Sequence, residues 1–197
     1  AGNVLINNMP VPFSEENCWV SDMHITDDVT HKIYFTTGNN RVSNDIAHNS
    51  KDANLNDFYW GTLKGTEDEI DLNSAGQIAG ASFGLNGFRD VYCLYVDDNP
   101  QNQYDEIWVG TNKGLFHFNE SNLTFNVDLS GTAFKVPGPN FPEDYKVTSI
   151  QPSPITGHFF VTINNGINGI GGFYGGVYDY DGNSSLIKLN SVNFPVT

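Results

Sequence analysis

The chain has 197 residues, with 9 Lys and Arg against 23 Asp and Glu, for a formal net charge of -14. Nucleic acid and anionic membrane surfaces are therefore excluded as partners, because counterion-release binding needs clustered cations. A hydrophobic fraction of 39% with 13% aromatic residues supplies a real core, and no apolar run approaches the roughly 18 to 20 residues of a membrane span, so no membrane insertion is expected.

Taken in chain order, the strand signals fall into three groups. After an isolated apolar piece, Asn3-Val-Leu-Ile-Asn7, the first group comprises Asp22 to Asp28, Lys32 to Thr37, Phe58 to Leu63 and Glu69 to Leu72. The second comprises Val91 to Asp98, Ile107 to Thr111, Leu115 to Phe118 and Thr124 to Leu129. The third comprises Lys146 to Ile150, His158 to Ile163, Phe173 to Tyr180 and Ser185 to Leu189. The runs are short, most are rich in β-branched and aromatic residues, and Gly, Asn, Asp and Ser are frequent between them. The sharpest signal is the hairpin within Tyr104 to Phe118, where Asn112-Lys113-Gly114 supplies a turn whose glycine is free to take positive φ.

Val91-Tyr-Cys-Leu-Tyr-Val-Asp-Asp98, Ile107-Trp-Val-Gly-Thr111 and Gly114-Leu-Phe-His-Phe118 together resemble the repeat of the two-component-regulator propeller family. That family occurs in the extracytoplasmic sensor regions of bacterial regulators. The resemblance covers about residues 91–118 and implies a β-propeller with a sensing or glycan-binding role. The first and third groups lack Trp-Val-Gly-Thr but keep the order of strands.

The internal repetition gives an all-β, β-propeller-like expectation: about three four-stranded antiparallel blades, over residues 21–72, 91–129 and 146–190, in one unit spanning 1–197. Three blades cannot close a ring that typically takes four to eight. The chain is then a segment of a longer protein, or two copies complete a ring, or a strand from another subunit fills the gap. It begins with Ala rather than Met, as expected of a processed or excised piece.

The connections are unequal in length. Residues 38–57, 73–90, 130–145 and 164–172 all map to one face of such a propeller, and loops longer than closure requires commonly carry binding on a rigid scaffold. On that face Asn40, Arg41, Asn44, Asp45, His48, Lys51 and Asp52 offer mixed donors and acceptors. Phe134, Phe141 and Tyr145 offer platforms for stacking on sugar rings or on a partner's side chains. The bland alternative is a solvated loop beside aromatics that cover a sheet edge.

Several chemical motifs are absent or incomplete. Gly166 to Gly176 is glycine-rich but lacks the Lys-Ser/Thr of a phosphate loop. Asp97-Asp-Asn99 and Asp179-Tyr-Asp-Gly-Asn183 have oxygen ligands suited to calcium, yet neither fills a twelve-residue loop, and such residues more often cap turns. His24, His31, His48, His117 and His158 show no zinc spacing, and no Gly-x-Ser-x-Gly elbow occurs. Cys18 and Cys93 are the only cysteines; two buried thiols is the favoured reading and a bridge between neighbouring copies the alternative.

The functional expectation is an extracytoplasmic module, secreted, periplasmic or on the cell surface, that presents loops to a carbohydrate or small-molecule ligand. One alternative is a structural surface or filament subunit that assembles with copies of itself. The other is a fragment of a secreted carbohydrate-active enzyme, with loop carboxylates as acid and base.

Overall fold

The computed structural model describes residues 19–38, 58–64, 70–78, 91–111, 113–123, 136, 145–154, 157–164, 175–182 and 186–189. Among them the chain is all-β apart from a single 3-10 turn at Glu120–Asn122. Strands β1 (Trp19–Ile25), β2 (Lys32–Gly38), β3 (Phe58–Leu63) and β4 (Ile70–Ile78) form the first sheet. Strands β5 (Val91–Asp97), β6 (Glu106–Thr111) and β7 (Gly114–Asn119) form the second. Strands β8 (Val147–Pro152), β9 (Phe159–Ile163), β10 (Gly176–Tyr180) and β11 (Leu186–Lys188) form the third. Every ladder is antiparallel and joins consecutive strands, so each sheet is one of the repeats read from the sequence. The run Thr124 to Leu129, expected as the second group's fourth strand, lies outside the described residues.

The β6–β7 hairpin forms as its sequence requires. Thr111 pairs with Gly114 across two residues, Gly114 takes φ 127, and the buried Thr111 hydroxyl donates to the Gly114 carbonyl at 3.0 Å while accepting from Lys113 N–H at 3.0 Å. One boundary differs from expectation. β4 runs on to Ile78, into residues assigned to a crossover, because Gly76 has no side chain to collide with the Trp60 ring that occupies its Cβ direction.

A register shift recurs in all three sheets. In β1 it falls between Val20 and Asp22, in β5 between Val91 and Cys93, and in β8 between Val147 and Ser149. The extra residues are Ser21, Tyr92 and Thr148. Each bulge puts an additional residue near the start of the first strand, turning two successive side chains to one face. In β5 this is seen directly: Tyr92 and Cys93 both join the core shared with the third sheet, while Leu94 joins the core shared with the first.

With the bulges aligned, corresponding positions match throughout. Asp22, Cys93 and Ser149 correspond, as do the cross-strand rows His24–Tyr34–Trp60, Tyr95–Trp108–His117 and Gln151–Phe160–Asp179. The face bearing Tyr34 and Phe58 packs on the second sheet's Leu94, Val96, Ile107, Val109, Phe116 and Phe118. The second sheet's opposite face, with Trp108 and Leu115, packs on the third sheet's Ile150, Phe159, Val161 and Tyr178. The sheets thus stack head to tail, each sheet's forward face on the next one's rear face. The first strands lie side by side, β5 touching β1 and β2 on one flank and β8 on the other.

Candidate functional site

The loop residues expected to bind ligand, Asn40, Arg41, Asp45, His48, Lys51, Asp52, Phe134 and Phe141, lie outside the described residues, as do Asn44 and Cys18. Tyr145 is described, and it corrects the expectation of an aromatic platform. It is fully buried, and its hydroxyl donates to the Val136 carbonyl at 2.6 Å. Burial raises the phenol's pKa, which fits a neutral core donor rather than a surface open to a sugar. The difference has a physical source: an aromatic flanked by the charged Asp144 and Lys146 reads as exposed loop, yet here it closes the third sheet's apolar face.

The described strand ends do define the long-connection end of the molecule. Gly38 lies opposite Trp19, Ile78 opposite Phe58, and Ile163 opposite both Gly176 and Val147. Residues 39–57, 79–90 and 164–175 therefore connect to strand ends on one side. Ser21 Oγ donating to the Val91 carbonyl at 3.0 Å fixes the first two sheets with these ends together. Gly110, whose Cβ direction points at Cys93 Sγ and Val147, does the same for the second and third.

The junction of the first and second sheets is a polar seam around Lys32. Its Nζ donates to Glu120 Oε2 at 2.9 Å and to Asp105 Oδ2 at 3.2 Å, and Tyr34 Oη donates to the same Asp105 oxygen at 2.7 Å. Burial alone would lower the Lys32 pKa, but the bonds from Glu120 and Asp105 outweigh it and the ammonium is held above its usual value. Burial and then Asp105 raise the Tyr34 phenol. His24 Nε2 sits 3.3 Å from Asp98 Oδ2 at the same end of the sheets.

Asp22 performs a second task at this junction. Its Oδ1 accepts Met23 N–H at 2.9 Å and its Oδ2 accepts Leu94 N–H at 3.0 Å, so one carboxylate spans two edge strands. Sheet edges with free N–H groups recruit other chains, and this side chain satisfies one of them.

The second and third sheets meet through rings instead. Trp108 is buried with its ring parallel to His117 at 4.4 Å and packed on Phe159 at 4.6 Å, while Tyr95 approaches Phe159 at 5.0 Å. His117 Nε2 lies 2.8 Å from Glu106 Oε2 and His158 Nδ1 lies 3.1 Å from Asp179, so these histidines bind single carboxylates. Burial pushes the Tyr180 phenol up to about 12, with Asp181 adding to the rise. The Trp108 indole trims that rise, although its buried N–H reaches hydrogen-bond geometry with no partner among the described residues.

Cys93 is a free, buried thiol whose pKa is pushed up by burial and then by Asp22. It is poorly suited to nucleophilic or redox work. At the calcium candidate, Asp97 Oδ1 accepts Asn99 N–H at 3.2 Å and Asn99 Oδ1 accepts Gln101 N–H at 3.1 Å, which is turn capping. Among the described residues no group of three or more His, Cys, Asp or Glu side chains is placed to hold a metal ion, and no helix is long and apolar enough to cross a membrane.

No family model and no curated protein matches the chain.

Proposed function

We propose that the chain is a β-propeller-type binding module acting outside the cytoplasm, with a carbohydrate or small-molecule ligand received by the long connections at one end of the sheets. The observation that carries this reading is the head-to-tail stack of meander sheets with their first strands adjacent. That arrangement makes a rigid base whose long connections leave from a single side. The likeness of residues 91–118 to extracytoplasmic sensor propellers and the Lys-poor, acidic composition support the compartment. Function attached to a scaffold by analogy needs a direct test. Titration calorimetry against a panel of plant, algal and host glycans is expected to give saturable heat with at least one class. Asp52→Ala and His48→Ala are expected to weaken that binding without changing the far-ultraviolet circular dichroism. Flat heats across the panel overturn the ligand.

A second reading, self-assembly as a structural subunit, is favoured by a specific observation: the third sheet leaves Val177 and Ile187 exposed on its forward face. A secreted carbohydrate-active enzyme remains the third alternative. Reducing-end release from a polysaccharide, lost on replacing loop carboxylates, would support it.

A further inference from the structure

Charge is divided between the two ends of the sheets. The end opposite the long connections is where Ile25 meets Ile33, Asp97 meets Glu106 and Pro152 meets Phe159. Asp22 apart, every described Asp and Glu lies in a short turn at that end or within one residue of a strand end there, in the β1–β2 and β5–β6 turns above all. Asp22 is engaged with the N–H groups of Met23 and Leu94. The sequence adds Glu67, Asp68 and Glu69 between β3 and β4.

The described lysines divide differently. Lys32 and Lys64 stand at the acidic end, Lys32 between Asp105 and Glu120. Lys113, in the β6–β7 turn, Lys146, immediately before β8, and Lys188, the last residue of β11, stand at the long-connection end of the second and third sheets. The Lys146 carbonyl accepts Asn164 N–H at 2.8 Å, which ties it to the strand end where residues 164–175 leave. The segments 39–57, 79–90 and 164–175 are close to balanced, with Arg41, Lys51 and Arg89 against four Asp. A chain of net charge -14 therefore keeps most of its negative charge away from its long connections.

Lys146 is also held in place. Its Nζ lies over the Tyr92 ring, 4.1 Å from the centre, and so reaches across the junction of the second and third sheets. Tyr92 is the extra residue of the β5 bulge, so the irregularity that aligns the sheets also sets this ring. The face of a ring steadies an ammonium without supplying the carboxylate oxygens that would neutralise it, and this contact leaves the charge able to meet an anion. The exposed Lys188 runs its stem past Gly176, where a Cβ would meet Lys188 Cε at 2.9 Å.

We propose that the ligand received at the long-connection end is a glycan carrying one acidic group, a carboxylate or a sulfate, met by Lys146 at the junction of the second and third sheets, with Lys113 and Lys188 adding positive charge at the same end. The inference names the class of ligand for the binding reading and rests on it. One acidic group, rather than a polyanion, follows from the charges: the cations are few, and the acidic far end repels an extended anionic chain. A short ligand that reaches only the lysine-bearing end avoids most of that repulsion.

Titration calorimetry with two matched pairs tests this: an oligosaccharide ending in a uronic acid against its neutral methyl ester, and a monosulfated oligosaccharide against its unsulfated parent. In at least one pair the acidic member is expected to bind at least about tenfold more tightly, and that advantage is expected to shrink as salt screens it. The pair that responds identifies the acid. Lys146→Met is expected to lose about tenfold in affinity for the acidic member, Lys146→Arg to keep most of it, and Lys64→Met, at the far end, to change nothing, all three with unchanged circular dichroism. The wild-type comparison needs no variant and decides the charge preference by itself. Saturable heat that is equal for acidic and neutral members overturns this inference and leaves the binding module standing. Acid selectivity that Lys146→Met leaves untouched overturns the assignment to Lys146. No heat from these pairs or from the wider glycan panel overturns both the inference and the binding reading.

Discussion

The two internal junctions share one geometry and differ in chemistry. Between the first and second sheets, Lys32, Asp105, Glu120 and Tyr34 form a charged seam, and Ser21 and Asp22 bind the backbone of β5. Between the second and third, Trp108, Tyr95 and Phe159 interlock, and Gly110 leaves room for Cys93 and Val147. The contrast teaches that the stacking direction is set by the bulged first strands and the rear-face apolar rows. The filling of each interface is free to vary. A seam of directional bonds is sensitive to charge and pH, whereas a seam of rings is sensitive to volume.

Four experiments sharpen or break that contrast. Trp108→Ala is expected to be the most damaging, costing about 3–5 kcal/mol because a large buried ring leaves a cavity between sheets. Urea unfolding followed by circular dichroism reads it, and a loss below about 1 kcal/mol would mean the ring seam carries little. Gly110→Ala comes next, at about 1–3 kcal/mol, since the new methyl meets Cys93 Sγ at 2.5 Å and Val147 Cγ1 at 2.7 Å. Adding Cys93→Ala should recover part of that loss, and strict additivity of the two changes would refute the steric account.

Lys32→Met is expected to cost about 1–2 kcal/mol, because it strands Asp105 and Glu120 in a half-buried seam that solvent partly screens. Its cost should shrink in a double variant with Asp105→Asn, whereas Trp108→Ala should be indifferent to that change. The smallest effect is on pH. The folded-state pKa values of Lys32, Tyr34, Tyr95 and Tyr180 are all raised, so their contributions are complete below the unfolded values of about 10 and are lost as pH climbs through the folded ones. Chemical stability is expected to be flat from neutrality to about pH 9 and then to fall, with Tyr34→Phe softening the descent. A fall that begins near neutrality would point to other groups.

Much of this architecture was legible because its strands are short runs of Ile, Val, Tyr and Phe separated by turn residues. Phe58–Leu63 shows both its ends in the sequence, and the Thr111–Gly114 turn follows from Gly114 alone. The bulges were not legible. Ser21-Asp22, Tyr92-Cys93 and Thr148-Ser149 differ at both positions of the pair, since a bulge asks for an extra residue rather than a particular one. The two-residue alternation breaks there, so the matching of Asp22 with Cys93 and Ser149 emerges only from pairing. Inter-sheet partners such as Lys32 and Asp105 are distant in sequence, and nothing local marks them. The loop-face residues stand out only by the length and polarity of their segments; of them Tyr145 alone falls among the described residues, and it turns inward because its ring fits the third sheet's core.

Because every ladder joins neighbours along the chain, each sheet can zip closed from local segments before it meets another. During synthesis the first sheet emerges first, and its finished forward surface becomes the template on which the next one condenses. Of the three described sheets, the one bearing Val177 is the last to be synthesised.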